Sequence, residues 1–150
     1  MLTVRAARVA DAPVWLELRR ELWPDGSEAE HRGEIESFFA GTLPRQTWAV
    51  LFAEDERGHI LGLAELSIRP YAEGCRSNRV AYLEGWFVRS DARGQGIGKA
   101  LITAAEDWAR SQGCQEFASD ADPDNDLSRS AHRGVGFTDV GLVRCFRKDL

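Results

Sequence analysis

A short glycine-rich segment joins a predicted strand to a predicted helix, and this junction limits how the chain folds. Residues 93–99 read Arg-Gly-Gln-Gly-Ile-Gly-Lys; they follow an apolar run, Val80 to Val88, and open a helical pattern, Ile97 to Arg110. Glycine lets the backbone take up positive φ and approach a ligand closely. The free N–H groups at a helix N-terminus favour an anion. The segment therefore predicts a phosphate cradle for a ligand that carries a pyrophosphate.

The spacing of the glycines separates this cradle from two other phosphate-binding loops. A Walker A loop ends in Gly-Lys-Ser/Thr, but Gly98 and Lys99 are followed by Ala100. A dinucleotide fingerprint requires a third glycine where Lys99 follows Gly94 and Gly96. The sequence excludes the usual nucleotide-hydrolase loop and argues against a dinucleotide site.

Length and charge narrow the class of protein. With 150 residues and 43% hydrophobic content, the chain fits a single domain, residues 1–150. It has no run of 18 apolar residues and no signal-peptide pattern, so we expect a cytoplasmic protein without a membrane partner. The net charge of −5 argues against a nucleic-acid partner and favours a cationic one.

The three cysteines are Cys75, Cys114 and Cys145. They are widely spaced, odd in number and without a C-x-x-C pair, which argues against a disulfide framework and against a zinc site. We expect reduced thiols and no metal.

Hydrophobic periodicity predicts alternating strands and helices. The predicted strands are Leu2 to Ala7, Thr47 to Glu54, His59 to Arg69, Val80 to Val88, Gln115 to Ser119 and an extended final segment, Thr138 to Arg147. The predicted helices begin at the caps Asp11 and Ser27, at Ile97 and at Asp126. Gly85 interrupts the central strand, which indicates a bulge or a close backbone approach.

The motif Arg-x-x-Gly-x-Gly, at Arg93, Gly96 and Gly98, resembles the acetyl-coenzyme A loop of the GNAT acyltransferase superfamily. The order β-α-α-β-β-β-α-β-α-β is similar to the layout of that fold along essentially the whole chain. The resemblance implies an α/β (α+β) protein with the GNAT fold, a mixed, partly splayed central sheet with helices on both faces. It also implies acetyl-coenzyme A as co-substrate. The residues implied to bind it are Trp86, Phe87, Val88, Arg93, Gly94, Gln95, Gly96, Ile97, Gly98, Lys99, Asn125 and His132.

Two of these residues stand at matching positions downstream of the loop. Asn125 matches an asparagine that contacts the pantetheine or pyrophosphate arm; a turn-forming role beside Pro123 is its alternative. His132 stands where many members have a tyrosine that protonates the departing thiolate. As imidazolium it can do the same, or order a water, or be a partly buried helix residue. The sequence leaves the general acid open.

Within the superfamily the chain looks most like the aminoglycoside 6'-N-acetyltransferases. The segments that carry this likeness are Leu22-Trp23-Pro24, Ser67-Ile68-Arg69 with Tyr71 and Gly74-Cys75, Leu83-Glu84-Gly85 with Phe87-Val88, and Ala118-Ser119-Asp120. The likeness implies that Glu84 and Asp120 bind the substrate amine and accept its proton, and that Trp23 and Tyr71 form walls of the pocket. It also implies a homodimer.

The chemistry of amine acetylation fits these residue types. Only an unprotonated amine attacks a thioester, so a nearby carboxylate both attracts the cation and receives its proton. The oxyanion needs a fixed N–H donor, which the strand around Trp86 to Val88 is placed to offer. The structural alternatives are an arginine partner for Glu84, a helix cap for Asp120, and packing roles for Trp23 and Tyr71. Another amine acceptor, or an acyl-coenzyme A sensor without turnover, stays open as an alternative function.

Overall fold

A five-stranded sheet organises the chain, with its strands in the order β1-β2-β3-β4-β5. The computed structural model describes residues 1–42 and 49–150. The strands are β1 (Thr3–Ala6), β2 (Ala49–Glu54), β3 (Ile60–Arg69), β4 (Val80–Val88) and β5 (Phe117–Ser119). The first four pair antiparallel, and β5 runs parallel to β4. The sheet is therefore mixed, as predicted; Thr47 and Trp48, the predicted start of β2, lie outside the described residues.

Helices cover both faces of this sheet, as the sequence predicts. They are α1 (Ala12–Leu22), α2 (Glu28–Ala40), α3 (Ile97–Ser111) and α4 (Asp126–Gly134). On one face, Trp15 and Leu18 of α1 pack with Phe52 and Leu63 in a buried cluster. On the other face, α3 contributes a second buried cluster around Leu101. The strong amphipathic pattern of α3 explains this arrangement, because a helix with one apolar side must bury that side against the sheet.

Local sequence signals set most of the helix ends. The Ser27 hydroxyl accepts the N–H of Glu30 at 3.1 Å, which confirms the predicted cap of α2. Gly41 ends that helix with a φ of 69°. The predicted cap of α1 is wrong in its mechanism. The Asp11 carboxylate instead accepts the Arg8 N–H at 2.6 Å and two bonds from Arg5, because an arginine on the adjacent strand competes for it.

The bulge predicted at Gly85 is present in β4. Leu66 pairs with Leu83 and Glu65 pairs with Gly85, so Glu84 is the extra residue on the bulged strand. Pairing between β4 and β5 ends at Leu83 with Ser119, although β4 continues to Val88. Strands β4 and β5 therefore part beyond this point, and the predicted splay lies here.

The final predicted strand, Thr138 to Arg147, does not form. Residues 138–150 lie outside any helix or strand, and β5 is shorter than predicted. A strand needs a neighbour to satisfy its backbone, and the segment finds none within the described chain. Its apolar side chains are exposed instead, with Leu142 at 81% and Phe146 at 89%. No helix among residues 1–42 and 49–150 combines the length and apolar character that a membrane crossing requires.

Candidate active site

The two predicted catalytic carboxylates lie where β4 and β5 separate. Leu83 and Ser119 form the last pair between the strands, and Glu84 and Asp120 follow them directly. Neighbouring strands stand about 4.8 Å apart, so the two residues begin on adjacent backbones. The structure therefore brings Glu84 and Asp120 to one opening, as the sequence predicts.

Glu84 is held by two side chains of β3. Arg69 donates from Nε to Oε1 at 2.9 Å and from Nη2 to Oε2 at 2.7 Å, and the Ser67 hydroxyl donates to Oε1 at 2.5 Å. The alternative interpretation of Glu84 as an arginine partner is thus part of its role. A carboxylate has about four lone-pair sites, of which these bonds use three. One lone pair on Oε2 remains for a further donor.

Asp120 is exposed and accepts a hydrogen bond from a buried tyrosine. The Tyr82 hydroxyl donates to its Oδ2 at 2.5 Å. Asp120 does not cap a helix, so that alternative interpretation of it is wrong. Burial first, and then the Asp120 carboxylate, raise the pKa of Tyr82 above its ordinary value. The phenol therefore stays a donor at neutral pH, and Oδ1 of Asp120 faces away from this bond.

The charge of this opening comes from three groups. Glu84 and Asp120 each carry one negative charge, and Arg69 carries one positive charge. The Arg69 guanidinium also lies over the Tyr82 ring, with Cζ 3.5 Å from the ring centroid. Burial lowers the pKa of Arg69, but Glu84, together with Tyr82 and Asp120, keeps this pKa raised. The three groups together are anionic, which suits an ammonium ligand.

Trp23 stands beside the bulge, whereas Tyr71 does not. A Cβ at Gly85 would lie 2.7 Å from Cη2 of the Trp23 indole, so only glycine allows this approach. Tyr71 is 62% exposed on the loop between β3 and β4. Its hydroxyl interacts with Glu73, which raises the pKa of Tyr71. Trp23 therefore lies against the bulge that carries Glu84, and Tyr71 lies on an exposed loop.

A buried ion pair lies beneath Trp23, and sequence reasoning missed it. Arg19 of α1 donates two bonds to Glu65 of β3, at 3.1 and 2.5 Å, and both side chains are almost fully buried. The Arg19 guanidinium also lies 5.1 Å from the Trp23 ring. His31 faces the Trp23 carbonyl oxygen across 3.2 Å. Burial lowers the pKa of Arg19, but Glu65 and Glu34 together keep it raised, so Arg19 stays charged.

The glycine loop has the geometry of an anion cradle. Gly94 and Gly96 have φ values of 77° and 81°, which other residues rarely adopt. Gly96 is the N-cap of α3, and no side chain caps that helix end. The first amides of α3 are therefore available to an anionic ligand. Gly98 instead allows close packing of α3 against the Trp86 indole, because a Cβ there would lie 3.1 Å from the indole.

The predicted cofactor residues differ in which atoms they offer. Ile97 and Phe87 are buried in the core, so only their backbone groups can meet a ligand. Gln95 and Lys99 are exposed. Arg93 donates from Nε to the Val88 carbonyl oxygen at 2.9 Å and so ties the loop to the end of β4.

The Trp86 indole lies against Gly98 of the same loop. Its Nε1 is buried and lacks a hydrogen-bond partner within the described chain. A buried donor of this kind is costly unless a ligand or water satisfies it. The cradle and this donor together fit a ligand with a phosphate end and a polar arm.

Helix α4 places the other two predicted residues. Asn125 accepts the Ser128 N–H at 3.0 Å and caps the helix, so its turn-forming alternative holds, while its NH₂ group is not used in the cap. His132 is half-buried and its ring lies edge-on to Trp86 at 5.3 Å. Its Nδ1 lies 2.7 Å from the Ser128 carbonyl oxygen, and its Nε2 lies 2.8 Å from the Ser119 hydroxyl. A carbonyl only accepts, so Nδ1 carries a proton.

Some functional side chains had no clear sequence signal. Ser67, Arg69 and Ser119 stand in segments that carry the family resemblance, whereas Tyr82 and Arg19 have no sequence signal of their own. Their spacing two residues apart would have placed Ser67 and Arg69 on one face of a strand. Within the described residues, no group of three or more His, Cys, Asp or Glu side chains is arranged to hold a metal. The cysteines there are all free.

Similar proteins give this geometry a context. The sequence pattern of the Acetyltransferase (GNAT) family matches residues 15–137. The chain is 55% identical over 147 residues to the aminoglycoside N(6')-acetyltransferase type 1 of Klebsiella aerogenes, covering 98% of this chain and 96% of that protein. It is 36% identical over 149 residues to the enzyme of the same description from Stenotrophomonas maltophilia, covering 99% and 94%.

Solved structures agree with this grouping. AAC(6')-Iy in complex with the bisubstrate analogue CoA-S-monomethyl-acetylneamine matches with a TM-score of 0.90 at 32% identity, over 100% of this chain and 99% of that chain. The apo aminoglycoside 6'-N-acetyltransferase AAC(6')-IG of Acinetobacter haemolyticus matches with a TM-score of 0.89 at 36% identity, over 99% of both chains. The fold class predicted from the sequence is confirmed.

Proposed function

This chain belongs to the acetyltransferase (GNAT) family, and we propose that it is an aminoglycoside 6'-N-acetyltransferase. It transfers the acetyl group of acetyl-coenzyme A to the 6'-amine of an aminoglycoside antibiotic and so confers resistance. The observation that carries this proposal is the pair Glu84 and Asp120 where β4 and β5 separate, in a chain whose glycine loop leaves the first amides of α3 free for an anion. An anionic opening beside a pyrophosphate cradle suits a cationic acceptor and a coenzyme A donor.

The two carboxylates have different tasks. Asp120 is exposed, and the donor that it has among the described residues is the neutral Tyr82 hydroxyl, so it attracts the substrate ammonium. Glu84 is neutralised by Arg69 but keeps one lone pair on Oε2. The amine is deprotonated by a carboxylate here, directly or through one water, before its lone pair attacks the thioester. Trp23 and Tyr71 bound the sugar rings, Tyr71 after its loop moves.

The donor lies along the loop and the free side of β4. The first amides of α3 hold the pyrophosphate, with Arg93 fixing the loop and Lys99 adding positive charge. Beyond Leu83, β4 is parted from β5, so its backbone around Trp86 to Val88 faces the acyl group. An N–H of this segment stabilises the oxyanion. The chemistry needs no covalent enzyme intermediate, and the acetyl group passes directly between the two substrates.

His132 supplies the proton that the departing coenzyme A thiolate takes up. With Nδ1–H fixed on the Ser128 carbonyl oxygen, Nε2 is the nitrogen that faces the site, through the Ser119 hydroxyl. The imidazolium gives its Nε2 proton to Ser119 Oγ while the Ser119 proton passes to the thiolate sulfur. The result is a free thiol and a neutral histidine.

A homodimer agrees with the exposed C-terminal segment. Apolar side chains of residues 138–150 are exposed, among them Leu142, Val143 and Phe146. Strand β5 ends the sheet with a free outer edge, and α4 buries none of its residues in a single copy. The segment of a second copy fits this edge by strand addition. The chain is one acetyltransferase domain, and its free cysteines and use of acetyl-coenzyme A suit the cytoplasm.

Two drugs that differ at one atom test the function. Neomycin carries a 6'-amine and paromomycin a 6'-hydroxyl, and thiol release from acetyl-coenzyme A reports each transfer. We expect release with neomycin and none with paromomycin. Release with both would contradict the assigned position. Thiol release only with spermidine or a lysine peptide would show that the acceptor is another amine. Binding of acetyl-coenzyme A without thiol release in the presence of any amine would indicate a sensor.

A further inference from the structure

Tyr82 contacts Asp120 directly and also contacts Arg69, which is a hydrogen-bond partner of Glu84. It lies on β4, two residues before Glu84, and it is buried. In the sheet it pairs with Ser67 of β3 and with Ala118 of β5. It therefore stands between the strand that holds Glu84 in place and the strand that leads to Asp120.

The hydroxyl of Tyr82 acts on Asp120. Asp120 follows the last residue of β5, so sheet pairing no longer fixes it. The 2.5 Å bond from the Tyr82 hydroxyl to Oδ2 supplies that constraint from a buried position. With Oδ2 held in this way, Oδ1 is the oxygen presented to an ammonium.

The ring of Tyr82 acts on Glu84 through Arg69. The guanidinium lies flat enough over the ring to bring Cζ within 3.5 Å of the centroid, and from there it donates two bonds to Glu84. Such a cation–π contact favours one placement of a long, flexible side chain. Without the ring, Arg69 would keep its charge but lose the contact that holds its guanidinium in place beside Glu84.

We propose that Tyr82 is a positioning residue, which sets the direction of Asp120 with its hydroxyl and of Glu84 with its ring. This inference rests on the proposed function of the two carboxylates. Acyl transfer is sensitive to small errors in placement, since displacement by about 1 Å can cost about 100-fold in rate. The Tyr82 side chain thus links the position of Asp120, which attracts the ammonium, to the position of Glu84, which is paired with Arg69.

Stepwise removal of Tyr82 separates its two roles. Tyr82→Phe removes the hydroxyl and keeps the ring, and Tyr82→Leu removes both. For neomycin we expect Tyr82→Phe to lower kcat/KM about 10- to 100-fold, the order for one hydrogen bond to a charged group. Tyr82→Leu should lower it further, and the KM for acetyl-coenzyme A should stay unchanged in both variants.

A double-mutant cycle distinguishes positioning from packing. In an Asp120→Asn background, Tyr82→Phe should cause little further loss of kcat/KM, because the partner is already changed. A loss of the same size in both backgrounds, or no loss in the wild-type background, would overturn the proposal. Melting temperatures of all four proteins show whether any loss of activity comes from unfolding.

A titration without substrate keeps this test independent of the proposed function. The chain has two tyrosines, so Tyr82 is the single tyrosine in a Tyr71→Phe variant. Its ultraviolet absorbance then reports ionisation of Tyr82 alone. Adding Asp120→Asn should move that ionisation to lower pH, because the negative acceptor is gone. An unchanged titration would overturn the contact itself, whatever the protein acetylates, whereas absence of turnover in the wild type would contradict only the function.

Discussion

The indole of Trp23 lies directly over Gly85, so close that a Cβ at this position would stand 2.7 Å from its Cη2 atom. Gly85 belongs to the bulge that makes Glu84 the extra residue of β4. The Trp23 indole and the Glu84 carboxylate, which we propose to line the substrate site, thus meet at one point of the backbone. Below them lies the buried pair Arg19 and Glu65, and Glu65 is the sheet partner of Gly85.

Gly85→Ala should move the Trp23 indole away from the bulge that carries Glu84. The methyl group would push Trp23 outward, raise the KM for neomycin about tenfold and cost about 1–3 kcal/mol of stability by overpacking. Steady-state kinetics and denaturant unfolding measure the two effects. Gly33→Ala in α2 is the control, because nothing lies within 4 Å of a Cβ there. It should stabilise the protein slightly; unchanged kinetics in Gly85→Ala would refute the contact.

Removing one partner of the buried ion pair should be costly. Glu65→Ala leaves the Arg19 charge buried without its main partner, and we expect a loss of about 3–5 kcal/mol in the free energy of unfolding. Glu17, which pairs with Arg89 at the surface, is the matched control. Glu17→Ala should cost about 0–1 kcal/mol. Equal losses in the free energy of unfolding of the two variants would show that burial does not make the Arg19–Glu65 pair costlier to break than a surface pair.

Two glycines with positive φ, one at each end of α3, allow ligand binding to be tested separately from folding. Gly96→Ala forces alanine to a φ of 81°, so the loop should relax and the KM for acetyl-coenzyme A should rise about tenfold. Gly113, with a φ of 78°, follows the C-terminal end of the same helix. Gly113→Ala carries similar strain, and it should lower the melting temperature without changing that KM. A similar rise of KM in both would argue against the cradle.

Asp11 should make stability depend on acid pH. The hydrogen bonds from Arg5 are the largest cause that lowers the pKa of Asp11; burial opposes them, and the Arg8 N–H adds to them. A carboxylate with a lowered folded pKa contributes stability above its unfolded pKa of about 3.9, and this is lost as pH falls through the folded pKa. Asp11→Asn should therefore cost about 1–3 kcal/mol at neutral pH. The difference from wild type should shrink as pH falls below about 4; a constant difference would contradict it.

Loss of the histidine acid should appear in kcat. His132→Gln cannot give a proton to Ser119, and we expect kcat to fall about 100-fold with the KM for neomycin little changed. A variant with full kcat would assign the thiolate proton to water.

Local signals in the sequence predicted most of the fold correctly. Some signals depend only on residues close to them in sequence, so they can be recognised without knowledge of the fold. They are the glycines of the loop before α3, the N-cap Ser27 and the C-cap Gly41. The bulge at Gly85 was likewise visible, because a glycine inside a strand has few other purposes. The family resemblance predicted Glu84 and Asp120 as site residues. The register between β4 and β5 then shows that they lie on adjacent strands.

Contacts between distant residues were not predictable in the same way. Arg19 and Glu65 are separated by 46 positions, and each alone is typical of a solvated face. Tyr82 and Asp120 are 38 positions apart, and the tyrosine fits a buried strand without any functional role. The final segment alternates like a strand, but a strand forms only by pairing with a neighbour, and residues 138–150 pair with no strand of the described chain.

The position of the acetyl group on the product tests the central claim most directly. Neomycin is treated with the protein and isotope-labelled acetyl-coenzyme A, and the product is purified for NMR. We expect one labelled acetamide, on the 6'-nitrogen, and the same product in lower yield from Asp120→Asn. Acetylation at another amine, or free labelled acetate without a modified drug, would contradict the account.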